Sequence, residues 1–255
     1  MKRFLWLAAA CALVGAGAAV ADTTGDQVTL YPASQGQQTQ AAWKAQEGEQ
    51  DDQGMARQAI LLEKDSTDPD AAAAAHVLGF EATPVKALIS LSYDHRIGTV
   101  CTPTDPRWTL FIQGRKGKHY IVNIGCTATA KGPAQEKGWL RHVAAQPLIR
   151  LLVMRKGGPD AFAGTIEGLA LAFDRSNGYV FVDDLSVRSR YAAKTWTYAG
   201  DNSNGVPGAP PTFSADQLAL MAEPLSADEL TDADTLMASM TPDEAALVYD
   251  DADPS

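Results

Sequence analysis

Residues 108–127 constrain the fold more than any other stretch. Two runs, 108–113 and 118–127, alternate apolar and polar side chains at the spacing of a half-buried strand, and Gly114-Arg115-Lys116-Gly117 separates them. A two-residue loop at Arg115-Lys116 would pair Leu110 with Ile121 and mix polar with apolar groups on both faces. A three-residue loop, Arg115-Lys116-Gly117, pairs Trp108 with Ile124, Leu110 with Val122 and Ile112 with Tyr120. This second register gathers one continuous apolar face and puts Gly117 at the left-handed position of the loop, so it is the register predicted.

Further strands follow the same rule. Ala87, Ile89, Leu91 and Tyr93 alternate with Lys86, Leu88, Ser90 and Ser92. Strands are predicted at 165–173 and 179–187, joined by the turn sequence Asp174-Arg175-Ser176-Asn177-Gly178. Ile149, Leu151 and Val153 alternate with Arg150, Leu152 and Met154, which predicts a strand over 148–155, preceded by a short helix over 134–146 that Pro147 ends. A last strand is expected in 191–198. Strands and turns at this spacing describe a mainly β fold, either an antiparallel sandwich of jelly-roll type or a partly open barrel.

The net charge of −10 divides unevenly. Residues 22–83 carry −8, residues 84–211 carry +7, and residues 212–255 carry −11 with no basic residue at all. The acidic total argues against nucleic acid as a partner. Residues 22–83 are poor in aromatics and rich in Gln, Ala, Asp and Gly, and read as a largely flexible arm. Short helices are expected near 55–63 and after Asp70 through the five alanines 71–75. Residues 84–200 form the β domain and 201–211 a Gly/Pro/Asn linker. The acidic tail 212–255 carries three capping boxes: Ser214 with Gln217, Ser226 with Glu229, and Thr241 with Glu244. Its charge suits either solvent or the basic domain of its own chain.

Lys2 and Arg3 precede an apolar run that is too short to span a bilayer, and Ala19-Val20-Ala21 has the form of a cleavage site. A signal peptide over 1–21 and a secreted or periplasmic location are therefore expected. No later stretch is apolar enough for a transmembrane helix. Two of the three cysteines remain after cleavage, Cys101 and Cys126, and an oxidising compartment predicts a disulfide between them. In the chain-entropy description it contributes roughly 3–3.5 kcal/mol.

Catalytic motifs are missing: the sequence has no G-x-S-x-G, H-E-x-x-H, C-x-x-C or P-loop. A hydrolytic site could be assembled only from scattered groups, namely His95 and His142 with Asp94 or Asp105. Trp139 and Trp196 are candidates for an aromatic binding platform. Arg115, Lys116 and Lys118 make a basic hairpin tip suited to an anionic partner: an envelope protein, an anionic polymer, or the acidic tail.

Asp183 and Asp184 stand next to each other in a strand, where alternation sends them to opposite faces and leaves one in need of a partner or a cation. Residues 178–187 fit G-x-V-x-x-D-D-x-S, which resembles the closing strand of jelly-roll carbohydrate-binding modules. That resemblance implies a β-sandwich, a structural calcium ion held with the help of an aspartate, and a polysaccharide partner. The residues themselves favour an exported, non-catalytic β domain that acts as an interaction module. A carbohydrate-binding module and a small secreted hydrolase are the alternatives.

Overall fold

The structure, a computed structural model, describes residues 29–50, 57–134, 136–190, 195–198 and 213–249, with backbone alone at 29 and 195–198. The expected signal peptide and the 201–211 linker lie outside the described residues.

The hairpin takes the three-residue-loop register. Arg107–Gln113 (β6) pairs with His119–Gly125 (β7), with Trp108 opposite Ile124, Leu110 opposite Val122 and Ile112 opposite Tyr120. Gly117 has φ +81°, and its N–H bonds to the Gly114 carbonyl at 2.8 Å. This hairpin closes one edge of a five-stranded antiparallel sheet. The other strands are Thr29–Gln35 (β1), Ala72–Leu78 (β4) and Thr165–Phe173 (β10), in the order β1-β4-β10-β6-β7.

A second, seven-stranded sheet packs against it. It holds Thr39–Ala45 (β2), Gln58–Lys64 (β3), Leu88–Arg96 (β5), Ala130–Pro133 (β8), Trp139–Ala145 (β9), Gly178–Ser189 (β11) and Thr195–Tyr198 (β12). The order is β2-β3-β11-β5-β9-β8, with β12 beside the second half of β11. Tyr93, Trp108, Leu110, Phe173 and Val182 fill the space between the sheets. The expected mainly β sandwich is what forms. The turn over 174–178 joins β10 in one sheet to β11 in the other, so it is an arch rather than a hairpin.

Residues 29–83 overturn the expectation of a flexible, partly helical arm. They supply four strands, two to each sheet. The alanine run enters β4, where Ala73 and Ala75 face the core and Ala72 and Ala74 face the opposite side under Phe213. Alanine's intrinsic helix preference is worth only tenths of a kcal/mol per residue over most alternatives, and a buried strand with packing on both faces outweighs it.

A second correction falls at Pro147. Residues 139–145 are strand, and Gln146–Phe162 (α1) is helix, with Pro147 in its first turn rather than past the end of an earlier one. Leu148, Ile149, Leu151, Leu152 and Val153 are all buried, so the apolar run that looked alternating is a helix covered on several sides. In β5 the alternation is also displaced: a single 3₁₀ turn over Val85–Ala87 precedes it, Leu88, Leu91 and Tyr93 are buried, and Ile89 is only half-buried.

The acidic tail is folded onto the domain. It forms Ala215–Ala222 (α2), Ala227–Leu230 (α3), Ala233–Ala238 (α4) and Pro242–Tyr249 (α5). The capping boxes at Ser214, Ser226 and Thr241 make both of their hydrogen bonds, and Asp232 caps α4 besides. Basic residues of α1 receive it: Arg155 meets Asp228 at 3.1 Å and Glu244 at 2.9 Å, and Lys156 meets Glu229 at 3.6 Å.

Glu229 also accepts from the Asn123 backbone N–H at 2.8 Å. The hairpin tip takes no part in these pairs. Arg115, Lys116 and Lys118 are exposed, and the tip is tied to α1 through Asp160, which accepts from the Lys116 N–H at 2.8 Å and the Tyr120 hydroxyl at 2.9 Å.

Charge guides the docking, but apolar burial holds it. Phe213, Met221, Leu236 and Val248 of the tail are buried against the domain. Leu236→Ala is therefore expected to cost about 2–4 kcal/mol, whereas Glu244→Gln at a partly exposed pair costs about 1 kcal/mol or less. High salt should leave the tail in place. Amide exchange of 213–249 checks this: exchange that rises to unprotected levels in salt would show docking to be electrostatic.

Candidate functional site

Strands β5, β9 and β11 present one face to the core and the other to the outside. Pairing sets Arg96 opposite Trp139, Asp94 opposite Arg141 and Asp183 opposite Asp94, and all of these lie on the outer face. Strict alternation would turn Asp184 inward. A bulge prevents it: three steps along β11 from Asp183 to Ser186 match two along β5 from Asp94 to Ser92, and Asp184 takes φ +46°. Both aspartates thus reach the same outer cluster, which corrects the expectation that they point to opposite faces.

Glu49 joins from the β2–β3 connection. Its N–H donates to Asp183 Oδ2 at 2.7 Å, and its Oε1 accepts from the Glu136 N–H at 2.7 Å. Asp183 Oδ1 accepts from the Asp184 N–H at 2.8 Å, so Asp183 uses both oxygens to hold backbone. The approach is close: a Cβ at Gly48 would lie 2.6 Å from Asp183 Oδ2 and 2.5 Å from the Gln58 carbonyl. Arg141 spans the other two carboxylates, donating to Asp94 at 2.6 and 2.8 Å and to Asp184 at 2.8 Å.

Four buried carboxylates gather around the Arg141 guanidinium. Among the described residues Glu49 Oε2 is buried without a hydrogen-bond donor, and the carboxylate that adjoins it is that of Asp94. Burial, and then the adjoining Asp94 carboxylate, hold the Glu49 carboxyl well above the usual range. Burial pushes Asp183 up to about 7 against the pull of its two backbone N–H donors. One oxygen each from Glu49, Asp94 and Asp184 lies within 4.8 Å of the others. This all-oxygen donor set with an orphaned carboxylate oxygen fits a hard divalent cation such as calcium. Asp184 would then be a ligand and Asp183 a positioning residue. The pair of aspartates is legible in the sequence; Glu49 and Arg141 are not, and Asp94 stands there only among the hydrolytic candidates, since strand pairing and the β2–β3 connection bring these groups in.

Beside the cluster is a cleft of about 520 Å³, bounded by Arg57, Arg96, Glu47, Glu136 and Trp139. Arg57 pairs with Glu136 at 3.2 Å, and Arg96 pairs with Glu47. Trp139 is 8% exposed, so it lines the cleft more as floor than as a free platform. Across the sheet, the Arg96 guanidinium lies 5.2 Å over the Phe181 ring, and Tyr179 meets Phe181 edge-on at 5.9 Å. Tyr179 is 47% exposed. The side chain of Trp196 lies outside the described residues.

Of the groups of the hydrolytic alternative, the two histidines meet, and neither aspartate joins them. Asp94 is on the outer face, His95 and His142 are on the inner face, and Asp105 is bound to Arg107 and to the 174–176 backbone at the end of the sandwich. His119 pairs instead with Glu167 at 2.7 Å on the exposed side of the hairpin.

The chain matches no protein-family model and no curated protein. Among solved structures it is similar to the family 30 carbohydrate-binding module of the cellulosomal cellulase Cel9D-Cel44B of Clostridium thermocellum, at 11% identity and TM-score 0.40, over 65% of this chain and 94% of that one. The family 11 module of Lic26A-Cel5E from the same organism matches at 12% identity and TM-score 0.38, over 66% and 92%. An exo-beta-agarase matches at 14% identity and TM-score 0.37, over 67% of this chain; this chain spans 24% of the agarase.

Proposed function

We propose that the protein is an exported, non-catalytic binding module whose partner is a polysaccharide, held on the outer face of the seven-stranded sheet. The observation that carries this reading is the row Trp139, Arg96, Phe181 and Tyr179 running across β9, β5 and β11 beside the charged cleft. Aromatic rings offer apolar faces to the C–H faces of sugar rings, and the adjoining Arg and Glu side chains supply donors and acceptors for hydroxyls. Calcium, held by Glu49, Asp94 and Asp184, would neutralise the acidic cluster and fasten the β2–β3 connection that forms one wall of the cleft.

Affinity electrophoresis against neutral and acidic polysaccharides tests the proposal. Tyr179→Ala removes an exposed ring and should leave the fold intact. It is expected to weaken retention about tenfold, equivalent to about 1.4 kcal/mol. Retention unchanged by Tyr179→Ala and by Phe181→Ala together would rule this face out. If only acidic polymers bind, and Lys116→Ala abolishes it, the hairpin tip is the site instead.

A further inference from the structure

Directly behind the acidic cluster, the inward residues of the same strands form a second set of donors. His95 on β5 and His142 on β9 meet at 2.8 Å, Nδ1 to Nε2. The bridge between Cys101 and Cys126 lies against them: Cys126 Sγ is 3.6 and 3.7 Å from the two His142 ring nitrogens. A donor atom of each of His95, Cys101 and His142 lies within 4.8 Å of the others. Thr129 Oγ1 stands 2.7 Å from His142 Nδ1 and fixes the ring, leaving Nε2 turned toward His95.

We propose that reduction of the Cys101–Cys126 bridge by a dithiol converts this corner into a zinc site with two cysteine and two histidine ligands. In a tetrahedral site with Zn–S of about 2.3 Å and Zn–N of about 2.0–2.1 Å, neighbouring donors stand roughly 3.3–3.8 Å apart. The Cys126–His142 distances already match this, the two imidazoles need to separate by about half an ångström, and the two sulfurs part once the bridge is broken. Burial keeps His142 neutral, with its pKa lowered to about 4, and lowers that of His95 as well; the neutral ring is the metal-binding form.

Access favours Cys101, which is half-buried, whereas Cys126 is fully buried. A thiolate of the dithiol attacks Cys101 Sγ, the bridge S–S bond breaks, and Cys126 leaves as a thiolate. The second thiol then attacks the mixed disulfide, which releases Cys101 and closes the reductant's own disulfide. Two electrons pass from the dithiol to the bridge. Zinc binding afterwards displaces one proton from each cysteine thiol.

The test uses the full chain carrying Cys11→Ser, so that the bridge cysteines are its only thiols. Cobalt(II) is the probe, because thiolate ligands in a tetrahedral field give it intense visible bands. The oxidised protein should show none. The reduced protein should bind one equivalent, and zinc should displace it. His142→Ala and His95→Ala should each weaken the thiolate-bound cobalt at least 100-fold, while Glu244→Gln, on the acidic tail, leaves it unchanged. Near-ultraviolet circular dichroism reports whether the fold persists on reduction. Cys101→Ser, which keeps three donors and needs no reductant, should still bind cobalt, about 10- to 100-fold more weakly. The proposal is overturned if the folded, reduced protein gives no thiolate–cobalt bands, or if the histidine variants bind as tightly as their parent. It is equally overturned if both the reduced protein and Cys101→Ser unfold even with zinc present.

Discussion

Replacing Arg107 by methionine is expected to lower stability by about 3–5 kcal/mol. Arg107 is fully buried between two acids. Its guanidinium donates to both oxygens of Asp174, with Nη2 to Oδ2 at 2.8 Å, to Asn123 Oδ1 at 3.0 Å and to Asp105 Oδ1 at 3.4 Å. The Asp105 carboxylate accepts from the backbone N–H groups of Asp174 at 3.1 Å, Arg175 at 3.0 Å and Ser176. These groups hold the arch by which the chain crosses from one sheet to the other.

Methionine fills similar volume but leaves Asp105 buried without its counter-charge and Asp174 with Arg175 at 4.0 Å in place of the bidentate pair. Lysine should not rescue, because a single ammonium cannot reproduce the fork that reaches Asp174 and Asn123 together. The effect should spread: Asn123 also donates its N–H and side-chain amide to Glu229, so α3 should lose amide-exchange protection in the variant. Urea denaturation with an unchanged m-value gives the magnitude. A loss below about 1 kcal/mol would mean that the network relaxes or hydrates instead of carrying buried charge.

The second large effect concerns pH and metal at the outer cluster. In chelator, stability is expected to fall as pH rises from about 5 to about 8. Asp183 ordinarily titrates near 3.8, but in the folded protein it holds its proton up to about 7, and Glu49 is shifted in the same direction. Between those values the folded state binds more protons than the unfolded state. The stabilisation is therefore complete below the unfolded pKa and is lost as pH rises through the folded one.

Each proton involved contributes a slope of at most about 1.4 kcal/mol per pH unit. Calcium should reverse the loss, raising the melting temperature more at pH 8 than at pH 5, and its binding should release protons. Asp184→Asn should abolish the calcium response. A melting temperature that calcium leaves unchanged at pH 8 would remove the cation from the proposed function, and leave Arg141 as the cluster's own counter-charge.

Several parts of this architecture were legible in the residues. The hairpin register, the left-handed Gly117 and the three capping boxes each follow from local rules of side-chain alternation, turn geometry and helix-end hydrogen bonding, and the disulfide partners follow from the cysteine count. Other parts were not. The alanines of β4 carry no pattern that distinguishes strand from helix, because an alanine side chain is small enough for either face of a sheet. Pro147 marks a helix start or a helix stop, and only the burial of Leu148 through Val153 decides between them. The bulge at Asp184 reverses the expected facing of one side chain, and bulges depend on the partner strand.

The sequence by itself determined what short stretches would do: which residues alternate, where turns and caps fall, and how charge divides between the tail and the centre. Those are properties of neighbours along the chain. Tertiary structure alone decided that residues 29–83 belong to both sheets, and that the acidic tail lies against α1. It also decided that Glu49, Asp94, Asp183 and Asp184 converge outside the sheet while His95, His142 and the Cys101–Cys126 bridge converge inside it. The physical reason is the strand period of two: consecutive residues on β5 and β9 serve opposite faces, so one pair of strands builds two chemically unlike clusters. Which distant groups complete each cluster is set by strand pairing across the sheet.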